Sequence, residues 1–162
     1  MHCRPNSSGD MRDRLSERWK QTMADVFSRA RRSAIMSRIK GANTKPEILV
    51  RKIVHSLGYR FRLHSRDLPG KPDIVLRRHH RIIFVHGCFW HGHVRCSRSA
   101  LPSTNKKFWQ KKILANKVRD LRVRRKLKRD GWKVFVIWQC QTKNIVDLTK
   151  RLERFLKDDS TW

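Results

Sequence analysis

Side chains of the types that bind metals crowd into residues 81–96, which read RIIFVHGCFWHGHVRC. Cys88, His93 and Cys96 are closely spaced there, and Cys140 stands at the end of a later apolar run. Three cysteines and one histidine are a ligand set that suits tetrahedral zinc. His91 is an alternative to His93 as the histidine ligand. We expect such a site to be structural, so that loss of the metal impairs folding as well as activity.

A second set of side chains has the chemistry of phosphodiester hydrolysis. Oxygen ligands hold Mg²⁺, and a nearby group accepts the proton of the attacking water. Histidine suits proton transfer because its pKa lies near neutrality, and a carboxylate can orient it. The acids and histidines that adjoin strand or helix ends near the predicted zinc site are Glu47, Asp73, His86, His91 and Asp120.

Asp73 is a candidate magnesium ligand. It is the only carboxylate between Asp67 and Asp120, and it stands at the start of an apolar run in a basic neighbourhood. We expect it to be ionised there and placed to hold a divalent cation against a phosphate. The backbone carbonyl of Val85 is a candidate second ligand.

Several of these side chains also have a structural interpretation. Glu47 stands three residues after Thr44 and fits the carboxylate of a helix capping box, while Asp73 fits the cap of a turn. Two aromatic pairs are either core packing or a wedge that unstacks a base step of DNA. These pairs are Phe89-Trp90 and Phe108-Trp109.

The composition indicates a polyanionic partner. The 162 residues include 40 lysines and arginines against 13 acids, and a net charge of +27 exceeds what solubility requires. The sequence has no apolar stretch that would suit a membrane helix or a signal-peptide core, so we predict nucleic acid, not a membrane, as the partner. Without an export signal we expect the cytoplasm, where cysteines stay reduced and available for metal.

Apolar periodicity and turn residues predict the elements that position these side chains. A helix is predicted over 46–57, and a half-buried strand follows over 59–63. Strands over 73–76 and 81–85 form a hairpin that brings Asp73 and His86 to the same open end. A later strand over 133–140 is predicted to be buried on both faces in its middle and to end at Cys140.

The helix predicted over Lys106–Arg129 is the most basic element, with twelve lysines and arginines against the single acid Asp120. Charge at this density suits phosphate contacts. An apolar seam with helical spacing is predicted along one side of it. The members of this seam are Leu114, Val118 and Leu121.

We predict a flexible extension over 1–22 and a single α/β domain over 23–162. Residues 23–40 are either a basic arm that follows a phosphate backbone or a solvated surface helix. A short helix over 147–156 and a frayed tail over 158–162 complete the chain.

Five strings resemble the very-short-patch-repair (Vsr) DNA mismatch endonucleases, and the resemblance spans about residues 23–154. It implies a restriction-endonuclease-like fold, with a mixed β-sheet flanked by helices. It also implies a Mg²⁺-dependent nick on the 5′ side of the thymine in a T:G mismatch. The strings are TKPEILVRKIVHSLGYRFR (44–62), LPGKPDIV (68–75), VHGCFWHGH (85–93), NKVRD (116–120) and GWKVFVIWQC (131–140).

The resemblance also implies roles for single residues. Asp73 and the Val85 carbonyl would bind Mg²⁺, and His91, paired with Asp120, would be the general base. His86 and Glu47 would assist through metal-bound water and hydrogen bonds. The DNA-intercalating wedge would be Phe89, Trp90 and Trp109, and the zinc ligands would be Cys88, His93, Cys96 and Cys140.

Two features depart from related nucleases. The wider nuclease superfamily usually has an acid-x-Lys pattern where this chain has Phe84-Val85-His86, and His93-x2-Cys96 is one residue longer than the spacing in some members of the family. The extension over 1–22 lies outside the family pattern.

Two other functions fit the same features. One is a zinc-containing nucleic-acid-binding protein without catalysis, and the other is a restriction-type nuclease of the same fold that cuts matched duplex. We expect a monomer, since cutting one strand requires one active site. We expect the protein to associate with the nucleoid, where its DNA substrate lies, and mismatch-repair proteins are candidate partners.

Overall fold

The computed structural model of the protein describes residues 41–158. The predicted extension over 1–22, the predicted arm over 23–40 and residues 159–162 of the predicted tail lie outside the described residues. Residues 41–101 and 107–158 belong to one compact unit of mixed α/β structure. Among the helices within 41–158, none combines the length and the apolar character needed to cross a bilayer.

Three helices and one open sheet make up this unit. The helices are α1 (Lys45–Ser56), α2 (Lys106–Arg129) and α3 (Ile145–Lys157). The strands are β1 (Arg62–Leu63), β2 (Ile74–Leu76), β3 (Arg81–His86) and β4 (Lys133–Trp138). They lie in the order β1-β2-β3-β4, with β1, β2 and β3 antiparallel and β4 parallel to β3.

Helices cover both faces of this mixed sheet. Ile74 and Leu76 of β2 pack with buried residues of α1 and α3, whereas Val75, between them, packs with Leu127 of α2 and with Trp132. Successive strand residues face opposite sides of a sheet, so a continuous apolar run supplies both cores. This arrangement confirms the predicted mixed sheet flanked by helices.

The pairing of the strands brings the predicted site residues to one edge of the sheet. In the β2–β3 hairpin Ile74 lies opposite Ile83, and the 3-10 turn Arg77–His79 joins the strands. In the parallel pair β3–β4, His86 lies beside Trp138. Parallel strands end at the same edge. The loop after β3 therefore meets the 3-10 helix Gln139–Lys143, which carries Cys140.

Two strand predictions are wrong in detail. The strand predicted over 59–63 is limited to Arg62–Leu63, and both residues are exposed because β1 is an edge strand. The strand predicted over 133–140 ends at Trp138, and only Ile137 of it is buried. As the other edge strand, β4 has less cover than β2 and β3.

The predicted apolar seam of α2 is also wrong. Leu114, Val118 and Leu121 are 62%, 51% and 42% exposed. Instead, a different stripe of α2 faces the rest of the unit. Its members lie three or four residues apart, and two of them are polar. This stripe is Ile113, Asn116, Asp120, Val123 and Leu127.

Candidate active site

A cavity of about 690 Å³ lies beside the end of the β2–β3 hairpin. Its wall includes all five acids and histidines that were predicted to act in hydrolysis, and also the cations Arg66, Lys71, Arg119 and Arg124. Such a mixture suits a phosphodiester, since cations attract the backbone while acids and histidines perform chemistry. The five residues are Glu47, Asp73, His86, His91 and Asp120.

Asp73 is held immediately before β2 by the neighbouring strand. Its Oδ2 accepts a hydrogen bond of 2.7 Å from the backbone N–H of Val85. Burial raises the pKa of Asp73 to about 6. The hydrogen bond from the Val85 N–H acts to lower this pKa, and the charge of Glu47 acts to raise it. The carboxyl is therefore mainly ionised near neutral pH, although burial makes its anionic form costly.

Glu47 is buried at the start of α1 and does not form the predicted capping box. Its Oε2 accepts from the backbone N–H of Asn43, one residue before the expected partner, and its Oε1 accepts from the hydroxyl of Thr44. The side chain of Thr44 caps no backbone group. Arg51, one turn along α1, donates to Glu47 Oε2 at 3.0 Å and neutralises its charge.

His91 and Asp120 form a close pair between the loop after β3 and helix α2. Nδ1 of His91 lies 2.5 Å from Oδ2 of Asp120. Partial burial opposes ionisation of Asp120, but the hydrogen bond and charge of His91 outweigh it and lower the pKa of Asp120. The carboxylate is thus ionised and able to orient the imidazole.

His86 stacks on His91, with ring centroids 3.8 Å apart and an interplanar angle of 12°. Burial, followed by the charge of His91, lowers the pKa of His86 well below its usual range. His86 is therefore neutral near pH 7. Together with Asp120, the two histidines place ligand-type atoms within 4.8 Å of one another.

A Cys/His group lies on the other side of the same loop. Nδ1 of His93 lies 3.7 Å from Sγ of Cys88 and 3.3 Å from Sγ of Cys140, and Cys96 completes a set whose ligand atoms all lie within 4.8 Å. Tetrahedral bonds of about 2.0–2.3 Å separate ligand atoms by about 3.3–3.8 Å, so the donor set fits a metal ion. His91, the alternative histidine ligand, pairs with Asp120 and is not a member of this Cys/His group.

The loop between these two groups is fixed by short backbone contacts. The N–H of His93 donates to the carbonyl of Cys88 at 2.9 Å, and the side chain of Asn116 donates to the carbonyl of Trp90 at 2.9 Å. Gly92 has a φ of +58° and lies against α2, where an added Cβ would come within 2.6 Å of the Ile113 side chain. The loop therefore needs glycine for both conformation and space.

Replacing Gly92 with alanine is expected to lower the free energy of unfolding by about 2–4 kcal/mol, because left-handed strain adds to overpacking against buried Ile113. Thermal or urea unfolding measures the change. Gly58→Ala is the matched control, since Gly58 has a φ of +86° but open space around its Cβ position, and it should cost only about 1 kcal/mol. Equal losses in the two variants would contradict the predicted packing.

The predicted wedge residues form one aromatic cluster. The ring centroids of Phe89 and Trp90 are 5.1 Å apart, and Trp109 lies 5.3 Å from Phe89 and 5.9 Å from Trp90. All three are partly exposed, and the adjoining Phe108 is 60% exposed. None of these rings belongs to the two hydrophobic cores, and together they leave apolar surface open to a partner.

Several residues of this region were not among the predicted site residues. Arg51 follows Glu47 by four residues, and Asn116 and Arg124 each lie four residues from Asp120, so helical i,i+4 spacing was an available signal. His64 lines the cavity after an edge strand and gave no such signal.

Comparisons with known proteins identify relatives across most of the chain. The family model for DNA mismatch endonuclease Vsr matches residues 24–98. The chain is 46% identical over 134 residues to the type II nicking enzyme V.XorIIP of Xanthomonas oryzae pv. oryzae, covering 83% of this chain and 98% of that protein. It is 40% identical over 136 residues to the type II nicking enzyme V.NmeAIP of Neisseria meningitidis serogroup A, covering 84% and 96%. It is 37% identical over 139 residues to the DNA mismatch endonuclease Vsr of Escherichia coli, covering 83% and 88%.

Proposed function

This chain belongs to the Vsr family of DNA mismatch endonucleases, and we propose that it nicks duplex DNA on the 5′ side of the thymine in a T:G mismatch by Mg²⁺-dependent hydrolysis. The observation that carries the proposal is the single cavity that brings Asp73 together with the His91–Asp120 pair. Residues 23–162 would act as one monomeric domain of restriction-endonuclease-like fold. Its substrate would be nucleoid DNA in the cytoplasm, with mismatch-repair proteins as candidate partners.

Asp73 and the backbone carbonyl of Val85 would hold the magnesium ion. Oxygen donors suit this hard cation, and the buried Asp73 carboxylate, whose ionised form is costly, gains from a bound positive charge. When bound, the ion supplies positive charge to the phosphate that reacts. Glu47, neutralised by Arg51, lines the same wall and would accept hydrogen bonds from water there.

His91 would be the general base. A carboxylate only accepts hydrogen bonds, so the contact with Asp120 requires the proton of neutral His91 to sit on Nδ1. Nε2 then carries the lone pair that takes a proton from water, and Asp120 stabilises the imidazolium that results. His86 stays neutral and fixes the plane of His91 by stacking.

The aromatic cluster would insert beside the mismatch. Apolar side chains wedged into a base step unstack it at a cost of a few kcal/mol, and a mismatched step costs least to open. Phe89, Trp90 and Trp109 present partly exposed rings on the loop that also carries His91. Insertion of these rings would thus align the general base His91 with the strand that is cut.

Zinc would occupy the Cys/His group as a structural ion. Three sulfurs and one imidazole are soft and borderline ligands that select zinc over magnesium. The ion would tie the loop after β3 to the end of β4 and so position His91, two residues before His93.

The proposal is tested with end-labelled duplexes that differ only in one T:G mismatch, placed in several flanking sequences. We expect Mg²⁺-dependent cleavage of the thymine strand on the 5′ side of the mismatch, and intact T:A and C:G controls. Cleavage of the matched duplexes would indicate a restriction-type nuclease instead. Salt-dependent binding without cleavage of any duplex would indicate the non-catalytic nucleic-acid-binding protein.

A further inference from the structure

Arg51 links three side chains at the wall of the cavity. Its Nη2 lies 3.0 Å from Oε2 of Glu47 and 3.1 Å from Nε2 of His64, and its Nη1 lies 2.6 Å from Oδ1 of Asn43. The side chains of Arg51 and Glu47 are only 13% and 6% exposed, so the ion pair at the centre of this network is largely removed from solvent. It holds His64 in one orientation relative to α1.

The contact with Arg51 fixes the proton of His64. A guanidinium has only donors, so Nε2 of His64 must accept and the ring proton must sit on Nδ1. Within residues 41–158 no acceptor pairs with Nδ1, while His64 lines the same cavity as Asp73. The cavity wall thus holds a histidine whose N–H donor remains available.

The backbone and the surroundings of His64 also favour a binding role. His64 has a φ of +47°, a conformation that non-glycine residues adopt at a cost, often at functional sites. Arg66 and Lys71 line the cavity with it. Neighbours of this charge favour an anion, and the anion that the proposed function brings to this cavity is the DNA phosphate.

We propose that the Nδ1–H of His64 donates a hydrogen bond to a phosphate oxygen of the DNA strand in the cavity, and that Arg51 is a positioning residue that fixes this tautomer. The contact extends the site beyond the residues assigned to hydrolysis, and it rests on the proposed function for the identity of its ligand. Because lysine cannot reproduce the fork that reaches Asn43, Glu47 and His64 together, Arg51→Lys should weaken the contact.

The test is a thermodynamic cycle between His64 and single phosphates. Binding is measured with Ca²⁺ in place of Mg²⁺, on T:G duplexes that carry one neutral methylphosphonate at each position around the proposed nick in turn. At the phosphate that His64 contacts, the methylphosphonate should lower the affinity of the wild-type protein by about 10-fold, as expected for a hydrogen bond to a charged group. His64→Ala should show no additional loss at that position, and Arg51→Lys a reduced one.

Two further variants keep the test specific. His64→Asn retains a donor near the place of Nδ1 and should restore the coupling, which a merely structural role would not do. His79→Ala removes an exposed histidine of the hairpin turn, outside the cavity wall, and should behave as wild type. Equal methylphosphonate penalties in wild type and His64→Ala at every position would overturn the proposal.

Nicking of the unmodified T:G duplex is measured separately, so that the two proposals fail in different ways. Coupling without mismatch-dependent nicking would uphold the phosphate contact and reject the proposed function. Nicking without coupling at any phosphate would reject the role of His64 alone.

Discussion

Replacing Asp73 with asparagine is expected to reduce nicking about 10³-fold or more while DNA affinity stays the same or rises. The amide keeps an oxygen that can accept from the Val85 N–H, so the hairpin end should keep its geometry. It removes the negative charge that would hold Mg²⁺, and metal-ion stabilisation of a reacting phosphate is worth several kcal/mol. Single-turnover nicking and filter binding on the same T:G duplex measure the two effects.

The same substitution should stabilise the fold when no divalent cation is present. The folded-state pKa of Asp73, about 6, lies above the ordinary 3.8, so the protonated form is favoured by folding. Stability from this group is present below about pH 4 and is lost as the pH rises through about 6. The neutral amide avoids that loss, which corresponds to about 3 kcal/mol, and unfolding in EDTA at neutral pH should show the gain.

Asp67→Asn is the matched control for Asp73→Asn. Asp67 is an exposed carboxylate that pairs with Arg77, and it lies outside the cavity wall. Its loss should change stability by less than about 1 kcal/mol and leave nicking intact. Full nicking activity in Asp73→Asn would contradict the assignment of Asp73 as a magnesium ligand. Loss of DNA binding together with nicking would instead indicate that this variant no longer folds.

The hairpin and the Cys/His group could be predicted because local signals and pairing rules agree there. A continuous apolar run followed directly by ligands predicts a buried strand that ends at a site, as β3 does before Cys88. Cys140 stands after a second such run, and parallel pairing of β3 with β4 brings the two strand ends together. Each prediction needed only the apolar run that marks a strand and the position at which that strand ends.

The inward face of α2 could not be found from apolar periodicity. The stripe that faces the unit contains Asn116 and Asp120, which contact the loop after β3 instead of a hydrophobic core. A search for apolar side chains therefore selected the neighbouring residues, which are exposed. Functional sites break the usual pattern because polar side chains must be buried there to act.

The network of Arg51 was hidden for a different reason. An Arg four residues after Glu47 is typical of a surface ion pair, and the sequence does not show that Glu47 is buried and Arg51 is largely shielded from solvent. Its third partner, His64, lies in a left-handed backbone position after an edge strand, which no propensity predicts. Only the tertiary structure brings these residues to one wall of the cavity.

Replacing Cys140 with serine is expected to remove stoichiometric zinc and to lower stability by an amount on the order of 5 kcal/mol, comparable with the net stability of a domain. Cys140 lies in the 3-10 helix that follows β4, so its loss would remove the metal-mediated link between that helix and the loop after β3. Elemental analysis and thermal unfolding measure the effects. Cys3→Ser is the matched control, because Cys3 is the one cysteine of the sequence that is not among the predicted zinc ligands, and it should retain zinc and stability.

Two histidine variants then separate the structural ion from the chemistry. His93→Ala should lose zinc and stability, since Nδ1 of His93 lies 3.3 Å and 3.7 Å from two of the sulfurs. His91→Ala should keep zinc and lose nicking by about 10²–10⁴-fold, the usual contribution of a general base, because His91 contacts Asp120. Loss of zinc in His91→Ala with retention in His93→Ala would reverse the two assignments. With these assignments, one loop would bind a structural ion through His93 and accept a proton through His91, and the stability of the fold would then be coupled to the placement of the general base.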